Sequence, residues 1–185
     1  MLTLYFDYPS AASVVAVLRL QRLADDGLPV GFEGFDPLGL AAALPFTLDL
    51  YEDLERHGAQ AAALGLPLER PSLRPPTLQA HLVGRLASDR GLGAAWRDRC
   101  LRAYWRDDAD LGDPEVLVDL ASDAGLDAAA VRDRLADRSA QLQLRQRMVA
   151  LRSRGVGGVP VLEVAGGTMV SADLPEPDLR ALAGL

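Results

Sequence analysis

Few residues in this chain have the types and spacing to do chemistry. Ser10-Ala11-Ala12-Ser13 places two hydroxyls one turn apart at what reads as the start of a helix. A helix N-terminus favours an anion by about 0.3–2 kcal/mol. Its free N–H groups, with a serine hydroxyl beside them, can hold a thiolate or a carboxylate. A charge-assisted hydrogen bond from Ser10 adds roughly 1.5–3 kcal/mol. Since about 1.36 kcal/mol is one pKa unit, these contributions could bring a small-molecule thiol from about 8.5 to about 7. Ser10 reads equally as a plain helix cap, and Ser13 as packing or a cap partner.

Other chemistries are excluded by composition. Thiol–disulfide exchange needs an attacking thiolate and a resolving thiol. The only cysteine is Cys100, in the apolar-aromatic stretch WRDRCLRAYW, where it reads as a small core residue. All 19 basic side chains are arginine. Without lysine there is no Schiff-base chemistry and no lysine-dependent nucleotide loop. With only His57, His81 and one cysteine, no metal site is expected. A net charge of −7 argues against nucleic acid and anionic membrane partners. Apolar runs such as 38–46 are too short to span a bilayer, and MLTLYFDYPS lacks the pattern of a signal peptide. A cytoplasmic protein with a small-molecule substrate is expected.

These 185 residues, 49% hydrophobic and 24% charged, have ordinary globular composition, enough for one domain or one domain with an insertion. Residues 2–6 read as a strand, broken by Asp7-Tyr8-Pro9-Ser10. Residues 11–26 read as a helix stopped by Gly27, and residues 29–35 as a second strand. Helices are expected over 48–64, 78–90, 93–106 and 114–124, with one more from Asp127 to about Arg154. Residues 66–77 form a proline-rich connection. Strands return at 159–164 and 168–171 around a Gly166-Gly167 turn, and residues 176–182 form a last helix. The layout is βαβ, a helical block, then ββα.

The FDYP step followed by S-A-A-S, with GVGGVP much later, resembles the DsbA-like thioredoxin-fold family. Ser10–Ser13 stand in the place of its C-x-x-C, and Val159-Pro160 in the place of its cis-proline. PPTLQAH at 75–81, RAYW at 102–105 and DLGDPEVLVDLASDAGLDAAAVR at 110–132 resemble the inserted helical domain of the FrnE-like branch. Asp53-Leu54-Glu55-Arg56 and residues 64–71 resemble the branch of 2-hydroxychromene-2-carboxylate isomerases and kappa-class glutathione transferases, which also carry serine for the first cysteine. The resemblance implies an α/β fold with a thioredoxin-like βαβ…ββα core. Its first half is residues 1–45, its helical insertion 46–149 and its second half 150–185.

It also implies a function. Ser10 would stabilise the thiolate of a low-molecular-weight thiol, glutathione or another, in an isomerase or transferase acting on an aromatic or quinonoid molecule. Ala11, Val159, Pro160 and Asp173 would complete the cofactor site. Residues 171–174 read Ser-Ala-Asp-Leu where the glutathione-using branch has Gly-x-Asp-Arg. Tyr8, Ser13, Phe35, Asp36, Pro37 and His81 are the expected substrate pocket. The alternative is a non-catalytic ligand-binding or scaffold protein with a degenerate oxidoreductase site. A homodimer is expected if Trp96, Tyr104 and Trp105 lie at an interface; a core position accounts for them equally.

Overall fold

A computed structural model describes residues 1–184. Leu185, the end of the expected 150–185 segment, lies outside the described residues. β1 (Leu2–Phe6) is the central strand. Ser10 caps α1 (Ala11–Asp25), accepting from the Ser13 N–H at 3.1 Å, and the chain leaves the helix through Gly27 at φ +94°. That left-handed turn suits glycine. β2 (Val30–Gly34) then pairs parallel with β1, Leu4 opposite Phe32 and Phe6 opposite Gly34. The helix between the two strands makes the parallel pairing possible.

The helical block follows: α2 (Leu48–Ala63), α3 (Leu78–Asp89), α4 (Gly93–Asp107), α5 (Pro114–Asp123), α6 (Ala128–Ala136) and α7 (Arg138–Ser153). β5 (Val161–Glu163) pairs antiparallel with β1 and with β6 (Met169–Ser171), and α8 (Glu176–Ala183) closes the chain. The sheet order is β2-β1-β5-β6. Two expectations are corrected. The single helix expected from Asp127 to about Arg154 is two, because Asp137 ends α6 and its carboxylate takes the Ser139 and Ala140 N–H groups as the cap of α7. The proline-rich connection is not wholly irregular either. β3 (Leu44–Pro45) and β4 (Leu73–Arg74) form a two-residue antiparallel ladder.

Side chains alternate across β1 as a pleated strand requires. Leu2, Leu4 and Phe6 enter a large core with Val14, Val17 and Leu20 of α1 and with Trp96, Trp105 and Leu117 of the helical block. Tyr5 points the other way, onto Leu144, Met148 and Leu151 of α7. The large core joins strands and inserted helices, and α7 crosses the boundary expected at residue 149. Trp96, Tyr104 and Trp105 are fully buried within the chain, so the core account of them holds and they offer no surface to a partner. Cys100 is buried beside them.

Gly34 allows the helical block to close on β2. A Cβ there would lie 2.0 Å from His81 Nδ1, an impossible contact. Gly31, on the same strand, has nothing nearer than 3.7 Å. Gly34→Ala is therefore expected to cost about 1–3 kcal/mol in urea denaturation, and Gly31→Ala far less. Equal effects would remove the steric reason for glycine at 34.

Candidate functional site at the start of α1

The turn from β1 into α1 is held by buried polar groups. Asp7 is 4% exposed. Its Oδ1 accepts from the Tyr8 N–H at 3.0 Å and lies 2.9 Å from His81 Nε2, while its N–H donates to Ser13 Oγ at 3.3 Å. The His81 ring stacks on Tyr8 with centroids 4.9 Å apart. The Trp105 indole N–H donates to the Tyr8 carbonyl at 2.9 Å.

The first turn of α1 is already engaged by an anion, and that anion is the chain's own. The Asp53 carboxylate, from α2, accepts from the Ala11 N–H at 2.7 Å and the Ala12 N–H at 3.3 Å, and from the Ser10 hydroxyl at 3.2 Å. Its other oxygen lies 2.8 Å from His57 Nδ1, one turn further along α2. Unpaired N–H groups, helix dipole and hydroxyl converge on one carboxylate, as anion binding at a helix start requires. His57 is half-buried in this cluster. Beside it runs a groove of about 40 Å³ lined by Ala12, Arg19, His57, Gln60, Pro160 and Asp173, among others. The Val159–Pro160 peptide is cis. Asp173 pairs with Arg19 at 3.1 Å on an exposed edge of the groove.

The structure thus places Ser10 and Ala11 on Asp53 at the start of α1, and Pro160 and Asp173 along the groove on the flank of that helix. Val159 packs on the α7 side of the sheet instead. Ser13 is buried and serves the Asp7 turn. Tyr8 and His81 are buried on the wall of a different cavity. Phe35 is in the core with Tyr5. Asp36 folds its carboxylate onto the Leu38 and Gly39 N–H groups, and the Pro37 carbonyl accepts from Arg152. None of Tyr8, Ser13, Phe35, Asp36, Pro37 or His81 lines the groove at Pro160. Asp53 and His57 are the site residues that reading the sequence missed. Their i, i+4 spacing puts both on one face of α2, but nothing local marks the strand-to-helix turn they meet.

Residues 1–182 match the DSBA-like thioredoxin domain, and the chain belongs to that family. Its single cysteine is not in a C-x-x-C motif. A probable DsbA oxidoreductase from Streptomyces coelicolor is 28% identical, with a TM-score of 0.82 over 99% of this chain and 88% of that one. A 2-hydroxychromene-2-carboxylate isomerase is 23% identical, with a TM-score of 0.74 over 91% and 87% of the two chains. The cytosolic disulfide reductase DsbM from Pseudomonas aeruginosa, solved with GSH, is 18% identical, with a TM-score of 0.69 over 99% and 96%. The last two share the fold. No curated protein matches the chain in sequence. Among the described residues no helix is long and apolar enough to cross a membrane, and no group of three or more His, Cys, Asp or Glu could hold a metal.

Near the Asp7 turn, burial and then the charge of Asp7 push the Asp36 carboxyl above the usual carboxylate range. Its Oδ2 is buried without a partner. The folded chain keeps this proton to higher pH than the unfolded chain does. Stability is therefore lost as pH rises from the unfolded pKa through the raised folded one. Asp36→Asn keeps an oxygen for Leu38 and Gly39 and removes that loss. Its gain in melting temperature over the parent should be larger at pH 7 than at pH 3; the same gain at both would refute the assignment.

Proposed function

We propose that the protein is a thiol-cofactor-assisted isomerase or transferase of a small electrophilic, aromatic or quinonoid molecule, with Ser10 and the start of α1 holding the cofactor's sulfur. The observation that carries this reading is the Asp53 carboxylate on the Ala11 and Ala12 N–H groups and the Ser10 hydroxyl, which marks a place built for one negative charge. Family membership and the GSH-bound structural neighbour support it.

The residues fit a thiol there. A bound thiolate would supply a nucleophile for an electrophilic carbon, released again in an isomerisation and retained on the product in a transfer. The Ser10 hydroxyl and the Ala11 N–H donate to the sulfur, lowering its basicity as the carboxylate gives way. His57 takes the thiol proton at its ring nitrogen, and Asp53, released from α1, pairs with the resulting imidazolium 2.8 Å away. The negative charge at the helix start is replaced rather than doubled. Pro160 and Gln60 flank the groove along which the rest of the cofactor lies.

Two measurements test this. In titration calorimetry with glutathione, Ser10→Ala should weaken binding about tenfold. Asp53→Asn, which loses the competing charge and keeps its shape, should tighten it by a similar factor. If neither the parent nor Asp53→Asn binds glutathione or another small thiol, Asp53 is a permanent internal cap and the site is a scaffold remnant.

The chain's own thiol takes no part. Burial raises the Cys100 pKa well above its ordinary value, so at neutral pH it is not a nucleophile. With dithiothreitol as the reductant, insulin reduction should run no faster than with a Ser10→Ala, Ser13→Ala double variant. Turnover above that control would overturn this chemistry.

A further inference from the structure

A second, larger cavity opens at the free edge of β2, between that strand, α3, the start of α4 and α7. Its volume is about 240 Å³, and none of its lining residues is shared with the groove at Pro160. Arg97 lies in its wall and is only 9% exposed. The guanidinium sits over the Phe32 ring at 3.9 Å and gives one hydrogen bond, from Nη2 to Gln21. Nε is buried without any partner, and no carboxylate lies within ion-pair distance of Arg97 among the described residues.

A buried cation is normally paired, because desolvation alone costs several kcal/mol. Burial brings the Arg97 pKa down to about 10, so it is still charged at neutral pH. Stacking on Phe32 offsets part of the cost and leaves the guanidinium edge unpaired. The backbone keeps that edge clear. A Cβ on Gly93 would stand 3.3 Å from Arg97 Nη1. Gly93 is also the first residue of α4, whose cap, Leu92, offers no side-chain oxygen to the helix N–H groups.

The other charges facing the cavity are Glu33, Asp89, Arg85 and Arg147. Glu33 is taken by a two-point ion pair with Arg147 and lies 3.9 Å from Arg85. Three arginines against two carboxylates leave one positive charge. His81, also in the wall, is committed to Asp7 through Nε2, with its Nδ1 against Gly34. Phe6, Phe32 and Leu144 supply apolar wall.

We propose that this cavity is a binding site for a small organic monoanion of about one ring's size, its acid group on the Arg97 guanidinium and its flat body against the apolar wall. The volume suffices, since a cavity of about 150 Å³ accepts benzene.

Benzoate is the probe. Calorimetry on the full chain should give saturable one-site binding, and amide shifts should centre on Gly34, Gly84 and Gly93 rather than on Ala11 and Ala12. Benzyl alcohol, of nearly the same shape but uncharged, should bind about tenfold more weakly. Arg97→Gln should cost a similar factor. Gly93→Ala, whose Cβ would stand 2.7 Å from Ser88 Oγ and 3.3 Å from Arg97 Nη1, should also weaken binding, in a variant whose circular dichroism matches the parent's. Ser10→Ala should leave benzoate affinity unchanged, which separates this site from the thiol site. No saturation up to about 10 mM, or equal affinity for benzoate in Arg97→Gln and Gly93→Ala, would overturn the proposal.

Discussion

The buried turn at Asp7-Tyr8 is the constraint on which the rest of the molecule depends. The central strand ends there and the helix that carries Ser10 begins two residues later. A carboxylate that is 4% exposed is tolerated only when its oxygens are met. Its Oδ1 meets the Tyr8 N–H at the turn itself and the His81 ring of α3, and the Asp7 backbone N–H donates to Ser13 of α1. Trp105 of α4 adds a bond to the next carbonyl. The helical block is thus bolted to the point where the thioredoxin-like core turns into α1, and α1 cannot be aimed without α3 and α4.

From that anchoring follows the chemistry at the end of α1. The start of an α-helix draws negative charge to its free N–H groups. Here the first position is Ser10, and a carboxylate from α2 stands on the same donors. The anion sits on a separate helix, with a histidine at 2.8 Å, rather than in the helix's own cap.

Much of the fold was legible because it is locally encoded. The apolar run of β1, the Ser10 cap, Gly27 and the Gly166-Gly167 turn each announce an element within a few residues. The break at Asp137 was missed because neither glycine nor proline marks it; the signal was a capping aspartate inside a helical pattern. The β3–β4 ladder was hidden by its prolines and its length. Ser10, Ala11, Pro160 and Asp173 came from motif positions; Pro160 and Asp173 line the groove beside α1, and Ser10 and Ala11 meet Asp53. Asp53 reaches its partners across 42 residues, a contact no local pattern encodes. Nothing in the stretch WRDRC marks Arg97 as buried; its packing on Phe32 does.

The placement of the two tryptophans has an optical consequence. Trp96 and Trp105 are the chain's only indoles, and both are fully shielded from water. Trp105 donates to the carbonyl of Tyr8, two residues before the Ser10 hydroxyl. Trp96 donates to the Ala80 carbonyl, next to His81, and its ring lies where a Cβ on Gly84 would touch it. One indole therefore abuts the turn leading to α1 and the other the wall of the cavity beside β2. Emission from the native chain carries no contribution from a solvated indole, so any reddening or quenching reports on these two places alone, and the molecule holds its own unlabelled fluorophore at each.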